Sequence, residues 1–303
     1  MKHIKLKSTQ FNQLLKGFEV ALIGEDPHSS NVTEHVAQVK ELMHFMEQRG
    51  LMTVKERTQP IVNEFIKYLE TRPNLRRGGL LSNTYINKFI TSINNFSRYL
   101  DSEQIEAPHI KLKYKKKQER PLPTVLTPEE VQQLYSVTDD TAIGVRDRCM
   151  LAIYYGCGMR KSEGLKLNIT DINFASGRIF IKKSKNGRER YVMMSPKVQQ
   201  HIEEYVYSAR DMYLPESSPY ESLFISERGR PTSGETMAKR IEALWQRVKD
   251  RYGSDKHISL HSLRHTLGTQ LYKAGMKLEM VGLMLGHRTT ESTELYVTLS
   301  NLY

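Results

Sequence analysis

The stretch HSLRHTLGTQLYKAGM, residues 261–276, places two demands on one helix. Leu263, Leu267, Leu271 and Ala274 recur every three or four residues, the period of an apolar stripe. His261, Arg264, His265 and Gly268 recur at the same interval on another side. Gly275 follows the last apolar residue, where a C-terminal cap belongs. A helix N-terminus already carries the positive pole of the backbone dipole, so a histidine–arginine cluster there sets like charge beside like. The pattern predicts an anion at the start of this helix.

Working outward, KLEMVGLMLGH (277–287) reads as a short helix stopped by Gly286, and TTESTELYVTL (289–299) as a last one. Upstream, a helical segment around Cys149–Tyr155 runs into GCGMRKSEGLKL. RIFIKKSKNGRERYVMM (178–194) reads as a β-hairpin: Ile179 and Ile181 alternate, Asn186-Gly187 is a tight-turn signal, and Tyr191 to Met194 returns. TPEE opens this half of the chain with Thr127 as cap, Pro128 at the first position and Glu130 closing a capping box. Further helices start at Ser195-Pro196 and hold Trp245.

The first hundred residues carry only amphipathic helical patterns. They are marked by Phe11–Phe18, by Val36–Met46 ending at Gly50, by Pro60–Leu69, and by Ile86–Leu100 behind a Ser82 cap. Between the halves lies KLKYKKKQERPLP (111–123), with six basic residues, one acid and no apolar stripe. It reads as an interdomain linker, either a solvated hinge or a strap whose Lys111, Lys113, Lys115, Lys116 and Lys117 follow a phosphate backbone. The expected organisation is a helical bundle over 1–110, the basic linker over 111–123, and a second domain over 124–303, mainly α with a small antiparallel β-sheet.

Composition narrows the function. The 303 residues carry 45 Lys+Arg against 34 Asp+Glu, a net charge of +11, which favours an anionic partner, nucleic acid first. No apolar run is long enough to span a bilayer and no signal-peptide core follows the basic N-terminus. Cys149 and Cys157 read as buried free thiols of a reducing compartment, so a cytoplasmic, nucleoid-associated location is expected. No phosphate-binding Gly-x4-Gly-Lys-Ser/Thr loop occurs, so nothing supports ATP hydrolysis. His261 and His265 stand four apart like the histidines of a zinc helix, but no glutamate follows the first and Arg264 intervenes, so no metal is expected.

Several polar residues lie where neither core nor turn needs them. Arg160 sits at a helix start, where it opposes the dipole unless it pairs with Glu163 one turn on. Lys185 stands at the hairpin tip, His287 follows Gly286, and Tyr296 comes nine residues later. Each alone has a plain explanation: a solvated lysine, a capping histidine, a core tyrosine.

Their order changes the reading. GMRKSEGLKLNITDI, KKSKNGRERYV, HSLRHTLGTQLYKAG and LGHRTTESTELY, from Thr127 to the C-terminus, resemble in sequence and spacing the four boxes of the tyrosine recombinases, the family of phage integrases, Xer proteins and Cre. The N-terminal bundle resembles the family's core-binding domain only in size, helicity and position. The resemblance implies a site-specific recombinase that cleaves and rejoins DNA through a 3′-phosphotyrosine bond, with no metal or ATP. It implies Tyr296 as nucleophile, Arg160 and Arg264 on the phosphate, His261 as base, His287 as a hydrogen-bond donor and Lys185 as general acid. Glu163 is expected to orient the site and His265 to be structural. Guanidinium charge beside Tyr296 is expected to lower its pKa.

The implied partners are double-stranded DNA, further copies of the chain (a dimer on one site, a tetramer in synapsis) and an accessory DNA-bending protein. Xer-like and Cre-like members carry a helix after the nucleophile that docks into a neighbour. Only seven residues follow Tyr296, so assembly by that route is not expected, and Tyr303 is misplaced for a nucleophile. Two other readings share these boxes: a type IB topoisomerase, and a catalytically silent DNA-binding accessory protein.

Overall fold

The computed structural model describes residues 4–25, 31–74, 78–116, 121–182, 189–215, 218–287 and 291–302. The chain divides into two compact units, Met1–Arg120 and Pro121–Tyr303.

The first unit packs helices α1 (Thr9–Glu25), α2 (Val32–Glu47), α3 (Gln59–Thr71) and α4 (Asn83–Ser102) around one core. The stripes seen in the sequence are its interior: Phe11, Phe18, Leu42, Phe65, Phe89 and Phe96 are all buried. Phe18 meets Phe96 edge-on at 5.3 Å, the geometry that ring quadrupoles favour. Ser82 caps α4 by accepting from the Tyr85 N–H at 3.3 Å.

The basic stretch 111–116 is held along α3 and α4 rather than hanging free. Lys111 N–H donates to Gln59 Oε1 at 2.8 Å, and Gln59 Nε2 returns a bond to the Lys111 carbonyl at 3.1 Å. Asn87 makes the same reciprocal pair with Lys115, at 2.7 and 2.9 Å, and Asn83 donates to the Lys116 carbonyl at 2.9 Å. These carboxamides act as a substitute strand edge. A charge run conceals such docking because the bonds use its backbone. Lys115 also forms an ion pair with Glu70, while the Lys111, Lys113 and Lys116 side chains stay exposed. Lys117 lies outside the described residues.

In the second unit, α5 (Pro128–Ser136) starts at the expected capping box, with the Thr127 N–H bound to Glu130 Oε2 at 2.8 Å. Helix α6 (Ala142–Leu151) winds into a π-helical turn over Ala152–Gly156, and α7 (Lys161–Leu165) follows. Strands β1 (Ile172–Asn173), β2 (Arg178–Ile181) and β3 (Arg190–Met193) form an antiparallel sheet in that order, with buried Ile179 facing buried Val192. The Asn186-Gly187 turn lies outside the described residues. Helices α8 (Pro196–Glu204), α9 (Gly234–Tyr252), α10 (Leu260–Lys273), α11 (Leu278–Leu285) and α12 (Glu291–Ser300) complete the unit.

Two apolar clusters hold it together. The larger gathers α6, the sheet, α8 and α9 around Tyr154, Tyr205 and Trp245. The smaller, with Leu267, Val281, Leu285, Tyr296 and Leu299, fastens α10, α11 and α12 to one another. Cys149 and Cys157 are buried free thiols. Burial pushes the Cys157 thiol up to about 12, so both are core residues. Among the described residues no helix is long and apolar enough to cross a membrane.

Candidate active site

The start of α10 places Arg264 deep in the second unit, 2% exposed. Its guanidinium donates to the carbonyls of Gly158 and Leu285, each at 2.6 Å. Burial, and then the charge of Arg160, lower its pKa to about 10, so it stays protonated near neutrality. Gly158 can turn its carbonyl there because it adopts φ +59°, and a Cβ at this position would lie 2.6 Å from Leu285 Cδ2.

Arg160 precedes α7. It donates to Glu163 Oε1 at 2.8 Å and to the Gly286 carbonyl at 2.5 Å. Glu163 is the hub beneath it: the side chain is 1% exposed and accepts four N–H groups. They are the Arg160 backbone (2.9 Å), Arg160 Nη1 (2.8 Å), and Arg190 Nη1 and Nη2 (3.0 and 2.9 Å). Burial would raise its pKa, but the bonds from Arg190 and Arg160, with the charge of Arg190, outweigh that and bring it down to about 2. The sequence reading expected Glu163 to orient the site; in the structure its carboxylate accepts from Arg160.

Arg190 was not among the expected residues. It opens β3 and also donates Nε to the Met284 carbonyl at 3.2 Å. A signal for it existed: strand alternation puts Arg190 on the side of inward Val192, while Tyr191 and Met193 face out.

Gly286 ends α11 in the left-handed conformation, φ +67°, and His287 follows. Its ring stacks on Tyr296 with centroids 5.7 Å apart, and its Nδ1 lies 3.0 Å from Thr293 Oγ1. Desolvation, then the charges of Arg264 and Arg160, lower its pKa to about 4. His265 lies between His261, at 5.2 Å, and Tyr296, at 6.0 Å. Burial, His261 and Arg264 lower its pKa to about 4, and its Nδ1 has no hydrogen-bond partner among the described residues. His261 is exposed and touches His265 rather than Tyr296. Partial desolvation and then Arg264 and Arg160 lower its pKa too.

Tyr296 is fully buried, and its hydroxyl has no hydrogen-bond partner among the described residues. Its pKa is raised, against the sequence expectation: burial of the phenolate outweighs the pull of Arg264 and Arg160. The structure thus brings together Arg160, Glu163, Arg264, His287 and Tyr296, with His265 and His261 in line beside them. Lys185 lies outside the described residues. Among those residues no group of three or more His, Cys, Asp or Glu could hold a metal ion. The arrangement offers two guanidinium groups for an anion, neutral imidazoles for hydrogen bonds and a phenol as nucleophile.

The model of the phage integrase family matches residues 124–302. The chain belongs to that family. Tyrosine recombinase XerC of Oceanobacillus iheyensis is 31% identical over 256 residues, 83% of this chain and 80% of that one. Tyrosine recombinase XerD of the same organism is 31% identical over 218 residues, 71% of each. The fold is shared with the site-specific recombinase XerH bound to its difH substrate, at 20% identity and a TM-score of 0.67, covering 97% of this chain and 95% of that one. It is shared also with the Tn1549 transposon integrase in complex with a circular intermediate DNA, at 17% identity and a TM-score of 0.70, covering 93% and 94%. This phage integrase family member is a tyrosine recombinase, an enzyme class that breaks and rejoins DNA strands. Its recombinase relatives favour that reading over the topoisomerase.

Proposed function

We propose that the chain is a site-specific DNA recombinase whose nucleophile is Tyr296. The observation that carries this reading is the convergence of Arg160, Arg264 and His287 on the end of α11, with Tyr296 stacked on His287. Arg160 and Arg264 grip the non-bridging oxygens, whose negative charge grows in the transition state. Stabilising charge that develops only there is worth about 3–4 kcal/mol per donor. His287 donates a hydrogen bond to the same phosphate.

The Tyr296 oxygen forms a bond to phosphorus and the bond to the 5′ oxygen breaks. The phenolic proton goes to His261, whose lowered pKa keeps it neutral and able to accept. The leaving 5′ oxygen takes a proton from Lys185. A 5′ hydroxyl from another strand reverses the step, so neither metal nor ATP takes part. The covered ring has to swing out before attack. Oligomers on paired sites, an accessory bending protein, and work on nucleoid DNA in the cytoplasm complete the reading. The first unit contributes DNA binding, with the exposed lysines at 111–116 along the backbone.

The test is a pool of nicked random-sequence duplexes incubated with the protein and run on a denaturing gel. A covalent adduct is expected, and peptide mapping places it on Tyr296. An adduct that persists in Tyr296→Phe moves the nucleophile elsewhere.

A further inference from the structure

Three consecutive carbonyls at the end of α11 each accept from a different arginine. Arg190 Nε binds Met284 O at 3.2 Å, Arg264 Nη2 binds Leu285 O at 2.6 Å, and Arg160 Nη2 binds Gly286 O at 2.5 Å. The last carbonyls of a helix have no partner within it and form the negative pole of its dipole. Here that pole organises the cationic site. Two of the three arginines are the proposed phosphate ligands, and the third is Arg190.

We propose that Arg190 is a positioning residue for phosphate recognition. It holds Arg160 through Glu163 and pins the end of α11 from which His287 departs. This rests on the reading of the site given above. Arg190 acts through its neighbours: its side chain is 10% exposed, and three of its five N–H groups, one each on Nε, Nη1 and Nη2, are held by protein acceptors. It supplies two of the four N–H groups on the Glu163 carboxylate. Without them a buried carboxylate would be left under-satisfied and would re-orient, taking Arg160 with it.

The residue type matters. A planar guanidinium spans both carboxylate oxygens and still offers Nε to a third acceptor, which a lysine cannot do. Gly286 fits the same device. A Cβ there would lie 2.9 Å from the Arg190 Cζ and Nη1, so glycine allows both the left-handed cap and the arginine packed against it. Arg190 also pairs with Ile181 across the sheet, so one side chain ties β3 to α7 and α11.

The experiment is single-turnover cleavage by Arg190→Met and Arg190→Lys, on a nicked duplex selected for adduct formation with the wild-type protein. The same duplex is also made with a methylphosphonate at the scissile position. That linkage lacks the anionic oxygen, so it depends less on correctly aimed guanidinium groups. Both variants are expected to keep DNA affinity. Arg190→Met should lose on the order of 100-fold in cleavage rate on the phosphate, the scale of a small misplacement at a reacting centre. Its deficit should shrink below about tenfold on the methylphosphonate, and Arg190→Lys should recover only part of the rate.

Wild-type rates in Arg190→Met would overturn the inference. So would equal deficits on both linkages, or variants that both fail to fold, since either assigns Arg190 to stability alone. Absence of any adduct in the wild-type protein would sink the reading of the site instead.

Discussion

Gly268 and Tyr296 share one volume: a Cβ on Gly268 would lie 2.5 Å from the ring carbon that bears the Tyr296 hydroxyl. Helix α10 presents bare backbone at that point, and the ring lies flat against it. Gly268 recurs on the same side as His261, Arg264 and His265, so one face of α10 supplies a guanidinium, two imidazoles and the seat of the phenol.

Gly268→Ala should therefore expel the ring. Overpacking a core costs about 1–3 kcal/mol, and alanine regains about 1 kcal/mol of helix propensity over glycine. A net loss of about 1 kcal/mol is expected in urea unfolding. Covalent adduct should form faster, because the nucleophile no longer has to leave a packed site. Slower adduct formation with unchanged stability would mean that the ring is not held by this contact.

Tyr296→Phe tests the buried hydroxyl from the other side. A buried polar group without a partner costs about 1–3 kcal/mol in desolvation. Removing it should stabilise the free protein by about 1 kcal/mol while abolishing the adduct. A destabilised Phe variant would show that the hydroxyl has a partner in solution.

The two imidazoles lowered to about 4, His265 and His287, make stability depend on pH. An unfolded histidine titrates near 6.5. Between about 6.5 and 4 the unfolded chain binds protons that the folded one refuses, so stability is full above this window and falls as pH drops through it. Denaturant midpoints at pH 7, 5.5 and 4.5 should decline in that order. The decline should be smaller in His265→Gln. An identical pH profile in that variant would place the titration elsewhere.

The lysine strap predicts a graded salt response. Neutralising Lys113 or Lys116 should reduce the slope of log K against log salt by about 0.9 for each phosphate no longer neutralised. Lys115→Gln should change it less, because that amine already pairs with Glu70. Equal slopes for all three would take the strap off the DNA backbone.

Much of the site was legible because its residues carry local patterns. His261, Arg264 and His265 stand on one helix face, His287 follows a glycine stop, and Glu163 is one turn from Arg160. The strap at 111–116 was half legible: its charge read as a linker, but its docking uses backbone groups bound to Gln59 and Asn87, about 28 to 52 residues away in sequence. The direction of the Tyr296 pKa was not legible, since spacing shows neighbouring charges but not burial.

By itself the sequence determined the helical periodicities, the capped starts of α4 and α5, the hairpin and the order of the chemical groups. Each follows from interactions within a few residues, which a one-dimensional pattern records. Only the tertiary structure decided which acceptors the arginines take. Arg160 reaches Gly286, Arg264 reaches Gly158 and Arg190 reaches Met284 across separations of 126, 106 and 94 residues. Such pairings depend on how α7, β3, α10 and α11 pack in space, and so does the burial of Tyr296 against Gly268. Both arise from filling a three-dimensional core, where a side chain's partners are set by volume and by unsatisfied polar groups rather than by distance along the chain.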